Sequence, residues 1–126
     1  MTRPQYAESM ELAPMPVYDC PFCTIVRGET EAEIVHEWSD AVAFVPLNPV
    51  TPGHVLVVPR VHVADVGHDP EVSAMTMRRA AELAAETHCN VITSRGAVAT
   101  QTIFHLHYHV VPRREGDALS LPWDVR

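Results

Sequence analysis

Between Phe104 and Val111 three histidines alternate strictly with apolar side chains, as Phe104-His105-Leu106-His107-Tyr108-His109-Val110-Val111. In a β-strand successive side chains point to opposite faces, so a period of two predicts a strand. We place it over 103–111. It turns His105, His107 and His109 to one face and Phe104, Leu106, Tyr108 and Val110 to the other. Pro112 ends it. A chain with such a segment must build a sheet around it, because the apolar face needs a core. Three adjacent imidazoles pack no better than Val or Thr, and their charged forms repel. Their presence points to chemistry near neutral pH: nucleophile, acid, base or metal ligand.

The remaining elements follow from the same signals. Asp19 can cap a short helix that runs to Gly28, with Pro21 in its first turn. Residues 33–38 and 41–45 predict two strands joined in a tight hairpin at Ser39-Asp40. Three prolines stiffen the loop 46–53. Residues 54–59 predict another apolar strand, with His54, Leu56 and Val58 on one face. Asp69 caps a helix that starts at Pro70 and runs to about Thr87. Arg78, Glu82 and Glu86 form its wet side; Met77, Ala80, Ala81, Leu83 and Ala84 form its buried face. Residues 90–94 predict the remaining strand. Strands, one long helix, then strands predict an α+β fold: an antiparallel sheet of about five strands packed by one long and one short helix. The histidine strand should be central, where its neighbours hold it rigid. Residues 1–18 read as a flexible N-terminal tail, 19–114 as one domain and 115–126 as a C-terminal tail.

Composition narrows the chemistry. The 126-residue chain has a net charge of −7 and no basic stripe, which argues against nucleic-acid binding. All nine cationic residues are arginine. Without lysine there is no P-loop and no Schiff-base chemistry. Phosphate chemistry must then run on His, Arg, hydroxyls and backbone N–H groups. No apolar run reaches the ~20 residues of a membrane span. No export signal is evident, so a cytoplasmic, reducing setting is expected, with Cys20, Cys23 and Cys89 free. Cys89 reads as a small buried hydrophobe.

Gln101-Thr102-Ile103-Phe104-His105-Leu106-His107-Tyr108-His109-Val110-Val111-Pro112-Arg113 resembles the signature of the histidine-triad (HIT) superfamily. Pro52-Gly53-His54-Val55-Leu56-Val57-Val58-Pro59-Arg60-Val61-His62 resembles a second segment of that family. Cys20-Pro21-Phe22-Cys23 with Arg27-Gly28-Glu29 resembles the zinc-type N-terminus of many bacterial members. The resemblance implies a nucleotidyl hydrolase or transferase that acts at the α-phosphate through a nucleotidyl-histidine. It makes His107 the nucleophile, and His109, Thr102 and His54 its catalytic partners. Phe44, Asn48, Ser94, Gln101, Thr102, His107 and His109 would bind a purine nucleotide or nucleotide conjugate. It also implies a homodimer, and Trp123 could reach a partner's pocket. Cys20, Cys23, His62 and His105 would hold a structural zinc ion.

The chain departs from the family pattern at three positions. Ser94 stands where Asn or Gln is usual. Pro46 replaces an acid or amide that binds ribose hydroxyls, a task left to Asn48. Thr100 replaces a glycine, so a positive φ there would strain the loop. These departures keep a nucleotide-binding module with weak catalysis open as an alternative. A dinucleoside polyphosphate hydrolase is a further one. A zinc hydrolase using His105, His107 and His109 as ligands ranks lower, because no nearby carboxylate completes the set and the cysteines are softer ligands. Trp38 reads as a packing residue, and His36, His68 and His88 as surface or capping residues. Arg113 and Arg114 either steer phosphate or solubilise.

Overall fold

A computed structural model describes residues 20–124. Residues 1–19, which hold the N-terminal tail and the Asp19 cap of the sequence reading, lie outside the described residues. The elements in chain order are α1 (Pro21–Val26), β1 (Ile34–Glu37), β2 (Ala41–Phe44), β3 (Val55–Pro59), α2 (Pro70–Ala84), β4 (Cys89–Ile92) and β5 (Tyr108–Pro112). They form one antiparallel sheet in the order β1-β2-β3-β5-β4. The α+β fold with one long and one short helix is therefore as expected.

Strand alternation sorts the core into two layers. Val55, Val57, Tyr108 and Val110 join Ala43, Leu106 and Ala80 on the face covered by α2. Leu56 and Val58 join Val42, Phe44, Phe22 and the cysteines on the face covered by α1. The long helix starts where the sequence says, since Asp69 accepts hydrogen bonds from Glu71 N–H and Val72 N–H ahead of Pro70. It stops at Ala84 rather than Thr87. Beyond that point only tighter bonds follow, from Glu86 N–H to Leu83 O and from Thr87 N–H to Ala84 O. Ala81, assigned to the buried face, is exposed. Arg79 clamps the hairpin to α2 through both oxygens of Asp40, at 2.9 and 3.2 Å.

The short helix also differs from expectation. Its N-cap is Cys20, whose sulfur accepts from Cys23 N–H at 3.4 Å, and it ends at Val26. The histidine strand is shorter too. Only Tyr108–Pro112 belongs to the ladder, so His105 and His107 precede it. Pro59 is the reason on the β3 side: it has no N–H to extend the pairing. Its carbonyl instead accepts from His105 Nε2 at 2.9 Å. The lead-in still alternates, with Leu106 in the α2 layer and His105 beside Phe22 of the α1 layer.

After β5 the chain turns back. Arg113 donates to both oxygens of Asp117, to Leu119 O and to Asn90 Oδ1, which ties residues 117–119 to β4. Arg114 donates to Thr51 Oγ1 at 3.0 Å. Both arginines thus have structural partners. No helix among the described residues is long and apolar enough to cross a membrane.

Candidate active site and metal centre

A cleft of about 820 Å³ opens on the α1 face of the sheet. Its floor is apolar, with Phe22, Ile25, Phe44, Leu56 and Ile103; His54, His107, His109 and Thr102 line one part, and Asn48 another. This size suits a nucleotide-sized ligand. Phe22 makes T-shaped ring contacts with both Phe44 and His107, with ring centroids 5.4 and 5.1 Å apart. Sequence reasoning missed Phe22, Ile25, Leu56 and Ile103. Phe22 carried a signal, because its place beside Cys23 in one turn of helix fixes its direction.

The hydrogen bonds decide where each imidazole carries its proton. His107 Nδ1 lies 2.8 Å from the carbonyl of His105. A carbonyl only accepts, so Nδ1 bears the hydrogen and Nε2 keeps its lone pair. His54 Nδ1 accepts from Val50 N–H at 3.0 Å, so its hydrogen sits on Nε2. That Nε2 lies 3.0 Å from His109 Nδ1, which must then accept. His109 is left with its hydrogen on Nε2. Adjacent rings, 5.3 Å apart, thus carry opposite functions: His107 a free lone pair, His109 a free N–H. Burial lowers the pKa of His107 and His54, and burial aided by the neighbouring histidines lowers that of His109 to about 4. All three are neutral at pH 7, as these tautomers require.

Two expected nucleotide contacts lie elsewhere. Gln101 is buried and turned inward: its amide donates to Ala64 O and Ile103 O, and its oxygen accepts from Gly96 N–H. It braces the loop rather than facing the cleft. Ser94 lines an adjoining cavity of about 300 Å³ with Thr100 and His109. Thr100 has φ +76°, in the left-handed region that favours glycine. Its side chain bonds back to its own loop at Ala99 O. Trp38 packs partly buried against the α2 layer and donates to Glu82. His36 and His88 are exposed. Cys89 is only half-buried, at the edge of the α2 layer.

Residues 27–116, most of the chain, match the HIT domain model. The chain belongs to the HIT family. Members of the HIT family are nucleotide hydrolases. An uncharacterised HIT-like protein of Mycobacterium tuberculosis is 37% identical over 112 residues, covering 81% of this chain and 76% of the relative. An adenylylsulfatase of Arabidopsis thaliana is 32% identical over 109 residues, covering 80% of this chain but 55% of that longer protein. Among solved structures, a Zn-bound histidine triad protein from Mycobacterium smegmatis is 34% identical, with TM-score 0.73, covering 83% of this chain and 82% of that one.

The first histidine of the HIT motif, His105, serves a different site. Cys20, Cys23, His62 and His105 bring their ligand atoms within 4.8 Å of one another. Cys20 Sγ and Cys23 Sγ lie 3.4 and 3.5 Å from His105 Nδ1, and Cys23 Sγ lies 3.2 Å from His62 Nδ1. The two Nδ1 atoms are 3.2 Å apart. Zinc bonds of about 2.3 Å to sulfur and 2.0 Å to nitrogen make tetrahedral edges of about 3.5 Å (S to N) and 3.3 Å (N to N), close to these separations. His105 Nε2–H is committed to Pro59 O, so its Nδ1 lone pair faces the sulfurs. Without a cation Cys23 stays a protonated thiol, since burial and Cys20 push it up to about 12. A divalent ion reverses that preference. The four residues therefore fit a closed metal site, with α1, the segment after β3 and the histidine run as its three supports. Among the described residues no metal-type cluster includes His107 or His109. The reading in which the triplet itself ligates zinc is thus corrected: only His105 of the three joins the metal-type cluster, with Cys20, Cys23 and His62.

Proposed function

We propose that this HIT protein is a nucleotidyl hydrolase or transferase acting at the α-phosphate of a nucleoside phosphoramidate or related nucleotide conjugate. The observation that carries the reading is the pairing of a lone pair on His107 Nε2 with an N–H on His109 Nε2, both lining one cleft. The base lies on the apolar floor around Phe22 and Phe44, and Asn48 serves the ribose. His107 Nε2 attacks the α-phosphorus and the bond to the leaving nitrogen breaks. His109 Nε2–H donates to a non-bridging oxygen, which carries added charge in the transition state. The Thr102 hydroxyl assists protonation of the leaving nitrogen. The ring of the adduct is cationic, with Nδ1–H held by His105 O, and so leaves readily when water attacks phosphorus. The products are the nucleoside monophosphate and the amine.

Zinc, held by Cys20, Cys23, His62 and His105, would cross-link the fold beneath the site. Its part is structural, and His105 is a ligand rather than a catalyst. Among the described residues no arginine lines the cleft, and Glu31 and Glu33 stand at its rim. That balance disfavours polyphosphates and supports a conjugate with one α-phosphate and a neutral or cationic leaving group. One observation favours a second reading, a nucleotide-binding module with slow chemistry: the left-handed Thr100 strains the loop next to the histidines. A homodimer in a reducing compartment completes the proposal.

The test is to incubate the protein with adenosine phosphoramidate, quench early and weigh the intact chain. A nucleotidyl adduct that maps to His107, with AMP released, is expected. Tight nucleotide binding with neither adduct nor release would leave the binding-module reading in its place.

A further inference from the structure

His107 sits just outside the hydrogen-bonded ladder. The terminal pair between β4 and β5 is Ile92 with His109, and β5 begins at Tyr108. The carbonyl of His107 therefore needs a partner of another kind, as backbone acceptors in a packed interior do. Thr93, the first residue past β4, supplies it: the hydroxyl donates to His107 O at 2.8 Å. Bonds made by Leu106 and His107 then hold the segment that carries the nucleophile. Leu106 N–H donates to Val63 O at 2.8 Å, His107 Nδ1–H to His105 O at 2.8 Å, and Thr93 Oγ1–H to His107 O. The bond to Val63 joins backbone groups that any sequence has. The bond inside the histidine run sets the tautomer. Only Thr93 is a side chain chosen to fix the peptide plane of His107, and its β-branch limits the rotamers from which the hydroxyl reaches.

We infer that Thr93 is a positioning residue: by holding the His107 carbonyl it aims Nε2 at the α-phosphorus. The inference rests on the nucleotidyl-histidine reading. Thr93 acts through the backbone and is not among the residues lining the cleft. Misplacing a reacting atom by 1 Å can cost on the order of 100-fold in rate, so one lost bond here matters more for chemistry than for binding.

The test compares wild type, Thr93→Val and Thr93→Ser. Valine keeps the shape without the hydroxyl, and serine keeps the hydroxyl. With adenosine phosphoramidate in single turnover, Thr93→Val should form the His107 adduct about 10- to 100-fold more slowly. AMP affinity by calorimetry should not change, and Thr93→Ser should restore most of the rate. A merely structural role would lower thermal stability and AMP affinity while the folded fraction reacted at the wild-type rate, and that result overturns the inference. If Thr93→Val does not fold, Thr93→Ala takes its place, with the same expectations. Ring ¹⁵N resonances provide a readout independent of turnover: the His107 Nδ1–H should exchange faster with solvent in Thr93→Val. If wild type forms no adduct, the nucleotidyl-histidine reading fails, while unchanged His107 resonances in Thr93→Val sink the Thr93 inference on their own.

Discussion

His105 and His107 are two residues apart on one segment, yet they do opposite things. His105 is fully buried against two cysteines and a second histidine; His107 borders an open cleft. A different carbonyl sets the role of each ring. Pro59 O takes His105 Nε2–H and leaves the Nδ1 lone pair facing the sulfurs. His105 O takes His107 Nδ1–H and leaves the Nε2 lone pair facing the cleft. The comparison teaches that a histidine's function is set less by its own chemistry than by which nitrogen the backbone claims.

The sharpest way to break this contrast is substitution on each side. His107→Ala should abolish turnover, on the order of 1,000-fold or more, while metal content and melting temperature stay near wild type. The double variant Cys20→Ser/Cys23→Ser should do the reverse. Elemental analysis should find no bound zinc, and calorimetry a melting temperature lower by about 10 °C or more. If that variant kept its metal, the assignment of His105 to the cysteine cluster would be wrong.

Acidity probes the same contrast less severely. His109 is held at about 4 and His107 and His54 below the ordinary 6.5, all chiefly by burial. The folded chain therefore binds fewer protons than the unfolded chain between pH 6.5 and about 4. Stability rises with pH across that window and is lost as pH falls through it. The acid limb of kcat/KM should likewise lie below the usual histidine range, because His107 stays neutral there. An acid limb centred at or above 6.5 would contradict the burial of these rings. The smallest effect concerns the loop at the edge of the cleft. Thr100→Gly removes a left-handed threonine and should stabilise the fold by about 1 kcal/mol in urea denaturation, with zinc content unchanged. A faster turnover in this variant would trace the chain's departure from the glycine-bearing pattern to that one residue.

Much of this was readable beforehand because it depends on local periodicity. The alternation in 54–59 and 104–111 set two faces, and Asp69-Pro70 set the start of the long helix. The positive φ at Thr100 could be suspected from a glycine-like position. Local signals and the family pattern also misplaced several features. The ladder starts at Tyr108 rather than 103, because Pro59 cannot donate and its carbonyl is taken by a side chain. The short helix takes its cap from Cys20. Gln101 points inward because backbone groups of two loops, at Ala64, Gly96 and Ile103, needed partners, which no spacing rule reveals.

Sequence alone determined that three imidazoles share one side of an extended segment and that two cysteines stand one helical turn apart, since both follow from the period of the local backbone. Tertiary structure decided which imidazole joins the cysteines and which stays free. That choice depends on the His54 imidazole, the Pro59 carbonyl and the Thr93 hydroxyl, groups distant from the histidine run along the chain whose directions are fixed only when the sheet closes.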